Sequence, residues 1–153
     1  MSLPSRPRRV TPALPAVSDG PMEAAAPAFI YTQRVRPQEC AASTNLGHPR
    51  YLEFFEAAFI ECWRHRFGRI EDSLGPDRTL TVAAVEVRYL APVRSDDQLR
   101  IEVTFDRITE SSIHVHYAAS VADAPVAEAG SRYVCVDVQS GKRACLPEAI
   151  RTA

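Results

Sequence analysis

Residues 41–68 read AASTNLGHPRYLEFFEAAFIECWRHRFG, and this stretch decides the fold. It opens with small, polar and turn-forming residues and then changes to a helical spacing that Pro49 can start, since the missing N–H of a proline costs nothing in the first turn. Gly68 supplies the stop. At about 100° per residue, Tyr51, Leu52, Phe54, Phe55, Ala58, Phe59, Cys62 and Trp63 cover nearly half of the circumference. That arc is wider than a surface helix needs, so the spacing predicts a helix over residues 49–67 buried along most of its length. Glu53, Ala57, Glu61 and Arg64 form the narrow opposite strip, and Glu56 falls on the border of the apolar face.

Everything after this helix reads as strand. Residues 29–36, FIYTQRVR, alternate apolar and polar before it and stop at Pro37. After the turn-rich EDSLGPDR, the stretch TVAAVEVRYL places Val85, Val87 and Tyr89 on one face. QLRIEVTFD does the same with Leu99, Ile101, Val103 and Phe105, and SSIHVHYAASV with Ile113, Val115 and Tyr117. SRYVCVDV is the last strand and VQSGKR its closing turn. The short links VRSDDQ and DRITESS favour antiparallel neighbours, because parallel strands need long crossovers. One helix and about five strands must share one core, so the expected class is α+β with the sheet wrapped around the helix.

The bulk properties narrow the function. A chain of 153 residues is one domain that buries roughly 68–70% of its unfolded surface. A formal net charge of -1 gives no electrostatic footprint for nucleic acid. Cys40, Cys62, Cys135 and Cys145 are spread without metal-ligand spacing, which argues against structural zinc and suits free thiols in a reducing cytoplasm. Residues 1–27, rich in Pro, Ala and Ser, are expected to form a disordered or loosely docked tail before a domain at residues 28–153. No stretch approaches the ~20 apolar residues of a membrane span, so a soluble protein is expected.

Several stretches resemble hotdog-fold thioesterases of the 4-hydroxybenzoyl-CoA thioesterase type: the junction GHPRYLEFFEAAF, the strand-turn-strand VRYLAPVRSDDQLRIEV and the ending VCVDVQSGKRACLPEAI. The resemblance runs from about Phe29 to Arg151. It implies an antiparallel sheet around a central helix, a homodimer or homotetramer, no cofactor, and hydrolysis of acyl thioesters of coenzyme A or acyl carrier protein. The family's loop usually carries an Asp several residues before the helix, whereas no Asp occurs here between Asp19 and Asp72, and Ala41 or Ala42 stands in its place. The local TNL resembles instead the enediyne-polyketide thioesterases, which carry ETNL and lack that Asp.

Thioester hydrolysis needs a carbonyl polariser and a nucleophile or base. The N-terminus of the long helix, around Gly47, His48, Arg50 and Tyr51, is the expected polariser and substrate-binding surface, with Thr44 beside it. Asn45 and His48 are the candidate loop residues; an amide holds a water or a carbonyl but cannot act as a base. Glu56 is the candidate base, matching the catalytic Glu that other hotdog thioesterases carry on this helix, and partial desolvation at the border of the apolar face would favour that role. Cys40 with His48 makes a weaker nucleophile pair. His114 and His116 are read as outer-face residues, and Arg94 and Arg100 as surface cations that could meet phosphates. The rival readings are a dehydratase on the same fold, which lacks its HFPG-type run here, and a non-catalytic acyl-binding or scaffold protein that lost the Asp.

Overall fold

The structure, a computed structural model, describes residues 28–42 and 44–153. The tail expected over residues 1–27 lies outside the described residues. Strand β1 (Phe29–Arg34) leads through a short 3-10 turn at Pro37–Glu39 into helix α1 (His48–Phe67). A small helix α2 (Ile70–Leu74) then precedes β2 (Arg78–Tyr89), β3 (Gln98–Ile108), β4 (Ser112–Val121) and β5 (Ala124–Asp137), and α3 (Glu148–Arg151) closes the chain. The five strands form one antiparallel sheet in the order β1-β3-β4-β5-β2. This is the hotdog arrangement, and the class is α+β.

The sheet curls around α1 because both carry one continuous apolar surface. Tyr51, Phe54, Phe55, Ala58, Phe59, Cys62 and Trp63 of the helix are buried. They meet Leu99, Ile101 and Val103 of β3, Ile113, Val115 and Tyr117 of β4, and Ala129 and Tyr133 of β5. Phe59 stacks on Tyr133 with centroids 3.9 Å apart and rings 10° from parallel, and Phe55 meets Tyr117 at 5.0 Å. Burial of aromatic rings at this density holds the helix in the sheet. Trp63 is fully buried, and its indole N–H donates to the Ser73 hydroxyl of α2 at 2.9 Å.

Three expectations need correction. The VRSDDQ link does not join neighbours: β4 and β5 lie between β3 and β2 in the sheet. Residues 90–97 cross the end of the sheet, a span of three strand spacings or roughly 14 Å, well within the reach of an extended segment of that length. Val93 in that link is fully buried and its carbonyl accepts from the Leu46 N–H at 2.7 Å, which pins the crossing segment to the loop before α1. The last strand starts at Ala124 rather than at Ser131, because Ala122 and Asp123, both at positive φ, make a two-residue hairpin turn that returns the chain at once onto β4. The small helix α2 runs into the segment read from sequence as turn and α3 follows the closing turn, where no element was expected; both are too short to show a helical period.

Candidate active site

The loop before α1 is stitched to its surroundings by its own backbone. Cys40 bridges Leu46, Asn45 bridges Arg94, and the Ala41 N–H donates to the Asn45 carbonyl at 2.8 Å. Thr44 sits at φ 68°, the tight point of this turn, and is exposed. The Cys40 thiol points back to the Arg36 carbonyl at 3.8 Å, which leaves it turned into the 3-10 segment rather than towards His48. Ala41 and Ala42, where the family's carboxylate would stand, are exposed.

Gly47 is the N-cap of α1, with extended backbone and no side-chain cap, and the first turn holds no acidic residue. The positive end of the helix dipole is therefore left uncompensated by the chain. The backbone donors are not equivalent. The Gly47 N–H donates to the Glu39 carbonyl at 3.3 Å and the Arg50 N–H to the Gly47 carbonyl at 2.9 Å, while Pro49 has none to give. The His48 N–H is the donor at the helix mouth without a backbone partner among the described residues. Its imidazole is exposed. Asn45 is half-buried next to it in the loop, and no partner holds its amide among the described residues.

The other predicted residues divide by burial. Arg50 is exposed and paired with Glu53 at 2.9 Å. Tyr51 is buried, its ring edge-on to Tyr89 at 5.1 Å, so it packs the first turn of α1 onto β2. Burial pushes its phenol above the ordinary value, with Tyr89 adding to the effect. The Arg94 backbone N–H donates to the Asp97 carboxylate at 2.8 Å, fixing the turn, and the Arg100 guanidinium is paired with Glu102. His114 and His116 lie on the outer face of β4, opposite Arg107 and Thr104 of β3. Among the described residues, no group of three or more His, Cys, Asp or Glu side chains is placed to hold a metal.

Sequence periodicity missed one decisive feature. Val82, Val85 and Tyr89 of β2 pair with Tyr133, Ser131 and Ala127 and so share the concave face, yet they remain 49%, 45% and 51% exposed. Leu80 and Val87 of the same face pack against the core, so the concave side of β2 is covered in part and left open at Val82, Val85 and Tyr89. Leu52, 41% exposed, and Glu56 follow one another by one turn on the flank of α1 next to Phe59, so this flank of the helix and the exposed residues of β2 both present apolar surface. The Tyr89 hydroxyl reaches the helix mouth, donating to the His48 carbonyl at 3.4 Å. In the core Tyr133 and Tyr117 share a hydroxyl contact of 3.4 Å. Burial raises the Tyr133 pKa, the Tyr117 hydrogen bond opposes this and the Glu56 charge adds to it, which places the Glu56 carboxylate within electrostatic reach of this pair.

One expectation about Glu56 is corrected here. Glu56 is exposed within a single chain, since Leu52 and Glu53 beside it on α1 are exposed as well. The desolvation anticipated from its border position is not supplied by one protomer.

Residues 35–153 match the family described as the thioesterase-like superfamily. The chain belongs to that superfamily. Among its relatives, the acyl-CoA thioester hydrolase YbgC of Escherichia coli is 30% identical over 124 residues, 80% of this chain and 92% of that protein. The 1,4-dihydroxy-2-naphthoyl-CoA hydrolase of Nostoc punctiforme is 26% identical over 123 residues, covering 80% and 83%. Solved structures carry the same fold: the Synechocystis 1,4-dihydroxy-2-naphthoyl-CoA thioesterase superposes with a TM-score of 0.72 at 22% identity over 82% of this chain and 93% of its own. Gentisyl-coenzyme A thioesterase BH1999 reaches 0.74 at 13% identity, over 80% and 99%. As a member of the thioesterase-like superfamily, the chain differs from the family's usual loop in having Ala41 and Ala42 where the acid would stand.

Proposed function

We propose that this protein hydrolyses acyl-CoA thioesters, that the thioester carbonyl is polarised by the His48 N–H at the start of α1, and that Glu56 acts as the base. The observation that carries the reading is an uncapped helix N-terminus, its His48 N–H free of backbone partners among the described residues, on the same side of the molecule as the exposed apolar residues Leu52, Val82, Val85 and Tyr89. A developing oxyanion is stabilised by such a donor together with the helix dipole. The acyl group lies along Leu52, Val82 and Val85; Asn45 orients the attacking water or the carbonyl; Thr44, Gly47, Arg50 and Tyr51 shape the mouth. Coenzyme A is favoured over acyl carrier protein by the names of the relatives, and the cytoplasm by the free cysteines.

The geometry also supports a homodimer as the working unit. His48 and Glu56 are eight residues apart on one helix, hence about 12 Å along its axis, too far for both to meet one thioester carbonyl. A second copy that pairs along the edge of β2 would bring its Glu56 to the first copy's helix mouth and cover these exposed apolar residues. The edge of β2 offers a long run of unpaired backbone with an apolar face, which proteins seldom leave open. Desolvation of Glu56 would then come from the partner.

The rival reading, a non-catalytic acyl-binding protein, draws on Ala41 and Ala42 where the family's Asp would stand. Thiol release from a panel of acyl-CoA and acyl-carrier-protein thioesters separates the two. Hydrolysis of an acyl-CoA well above the uncatalysed rate is expected; binding without release for every member of the panel would leave the acyl-binding reading standing.

A further inference from the structure

A second concavity lies at the far end of the molecule. Strand β1 covers β3 only as far as the pair Phe29–Val103, so β3 continues to Ile108 without a partner on that side among the described residues. The last turn of α1 flanks this free stretch, and the groove between them has a volume of about 920 Å³. Arg66 lies about 27 Å along the helix from His48, so the groove is separate from the helix mouth.

Its lining combines an apolar floor with an excess of positive charge. Phe29 and Phe105 form part of the floor, and Arg66 and Arg151 line it from α1 and α3, while Arg107 lines it from the β3 edge, opposite His114 on the outer face of the sheet. Arg66 lies over the Phe105 ring at 4.8 Å and over Phe67 at 5.5 Å, a stacking that holds the guanidinium plane flat while its edge donors stay free. None of the three arginines has an ion-pair partner among the described residues, and Asp106 is the one acidic side chain in the lining. Cations in the last turn of a helix complement its dipole. That accounts for Arg66 but not for Arg107 and Arg151, and the adjacent Arg64 is already paired with Glu61.

We propose that this groove binds a small amphiphile whose anionic head, a carboxylate or a phosphate, is held by Arg66 and Arg151 while its apolar body lies along Phe29 and Phe105. Guanidinium forks match either head in two-point contact, and the aromatic floor removes the body from water. The site does not depend on the thioesterase reading, since binding here requires no turnover.

Calorimetric titration of the full chain with decanoate, decyl phosphate and decylammonium tests it, alongside Arg66→Ala and Arg151→Ala, both changes on the groove rim that leave the core untouched. The expected result is saturable binding of at least one anion, weakened about tenfold or more by either substitution, as loss of a charge-assisted contact implies, with no comparable binding of decylammonium. The stronger of the two anions identifies the head. Equal affinity for decylammonium, anion affinity unchanged in both variants, or no binding of either anion overturns the proposal. An amphiphile held instead against β2 would bind both variants as it binds the natural chain, and a failure to hydrolyse thioesters would leave the titration unaffected.

Discussion

The Tyr89 hydroxyl donates to the His48 carbonyl at 3.4 Å, tying the end of an edge strand to the first residue of the central helix. Tyr51, edge-on to Tyr89 at 5.1 Å, backs the same junction from the core. The mouth of α1 is therefore positioned by β2, the strand whose concave face is open in part, and the two halves of the proposed site are mechanically joined. Tyr89→Phe removes the hydrogen bond and keeps the ring contact. It is expected to lower kcat several-fold while shifting stability by no more than about 1 kcal/mol, measured by steady-state thiol release and thermal unfolding.

His48 allows backbone and side chain to be separated. Proline is well tolerated at the first helical position, so His48→Pro deletes the N–H and keeps the helix, whereas His48→Ala keeps the N–H and deletes the imidazole. Loss of a donor to an oxyanion typically costs about 10²–10³ in kcat, and that is expected for His48→Pro, with a smaller loss for His48→Ala. Equal activity of the proline variant and the natural chain would show that the carbonyl is polarised elsewhere.

Glu56→Gln is expected to reduce kcat by about 10²-fold or more, as for a lost base. Because Glu56 and His48 are assigned to opposite copies, mixing Glu56→Gln with His48→Pro chains should restore activity. One intact site per mixed dimer gives about a quarter of the natural rate after equal mixing of a two-fold assembly. No recovery after exchange of subunits, confirmed by mass, would place both groups in one protomer.

Val85 lies 45% exposed on the concave side of β2. Val85→Lys puts a charge on the surface proposed to meet a second copy, a device edge strands use against pairing. Sedimentation velocity should show the natural chain as a dimer or larger and the variant as a monomer with little thioesterase activity. A monomeric natural chain with full turnover would contradict the two-copy site.

Alkaline stability should report the buried tyrosine pair. Burial first, and then the neighbouring Tyr133 hydroxyl, raises the Tyr117 pKa far above its ordinary value of 10.0, and Tyr133 is raised as well. The folded state thus keeps protons that the unfolded chain releases above pH 10, so their contribution is fully present below that pH and is lost as pH rises further. The melting temperature should hold steady through neutral pH and fall beyond pH 10, and Tyr117→Phe should flatten that fall.

Much of this molecule was legible from residue order. The helix from His48 to Phe67 followed from the spacing of Tyr51, Phe55, Phe59, Cys62 and Trp63, because burial of a wide arc can only repeat at 3.6 residues. Leu99, Ile101 and Val103, and Ile113, Val115 and Tyr117, alternate with the pleat and are all buried on the concave face. The hairpin turn at Ala122 and Asp123 was not legible, since Asp123 suits a turn but Ala122 does not, and positive φ is imposed on Ala122 by the pairing on either side. Glu56 stood out by its place at the border of an apolar face, but Tyr89 did not, because its role depends on which strand end reaches the helix mouth.

The sequence by itself determined the periodicities, hence one buried helix, strands with defined inner faces, and a loop without the family's acid. Tertiary structure alone decided that β2 lies at the sheet's far edge, that Val82, Val85 and Tyr89 on its concave face stay exposed, and that the His48 N–H rather than that of Gly47 or Arg50 is left to give. Local sequence sets which side of an element is apolar; which apolar surface is finally covered, and which backbone donor is already spent, depends on partners distant along the chain.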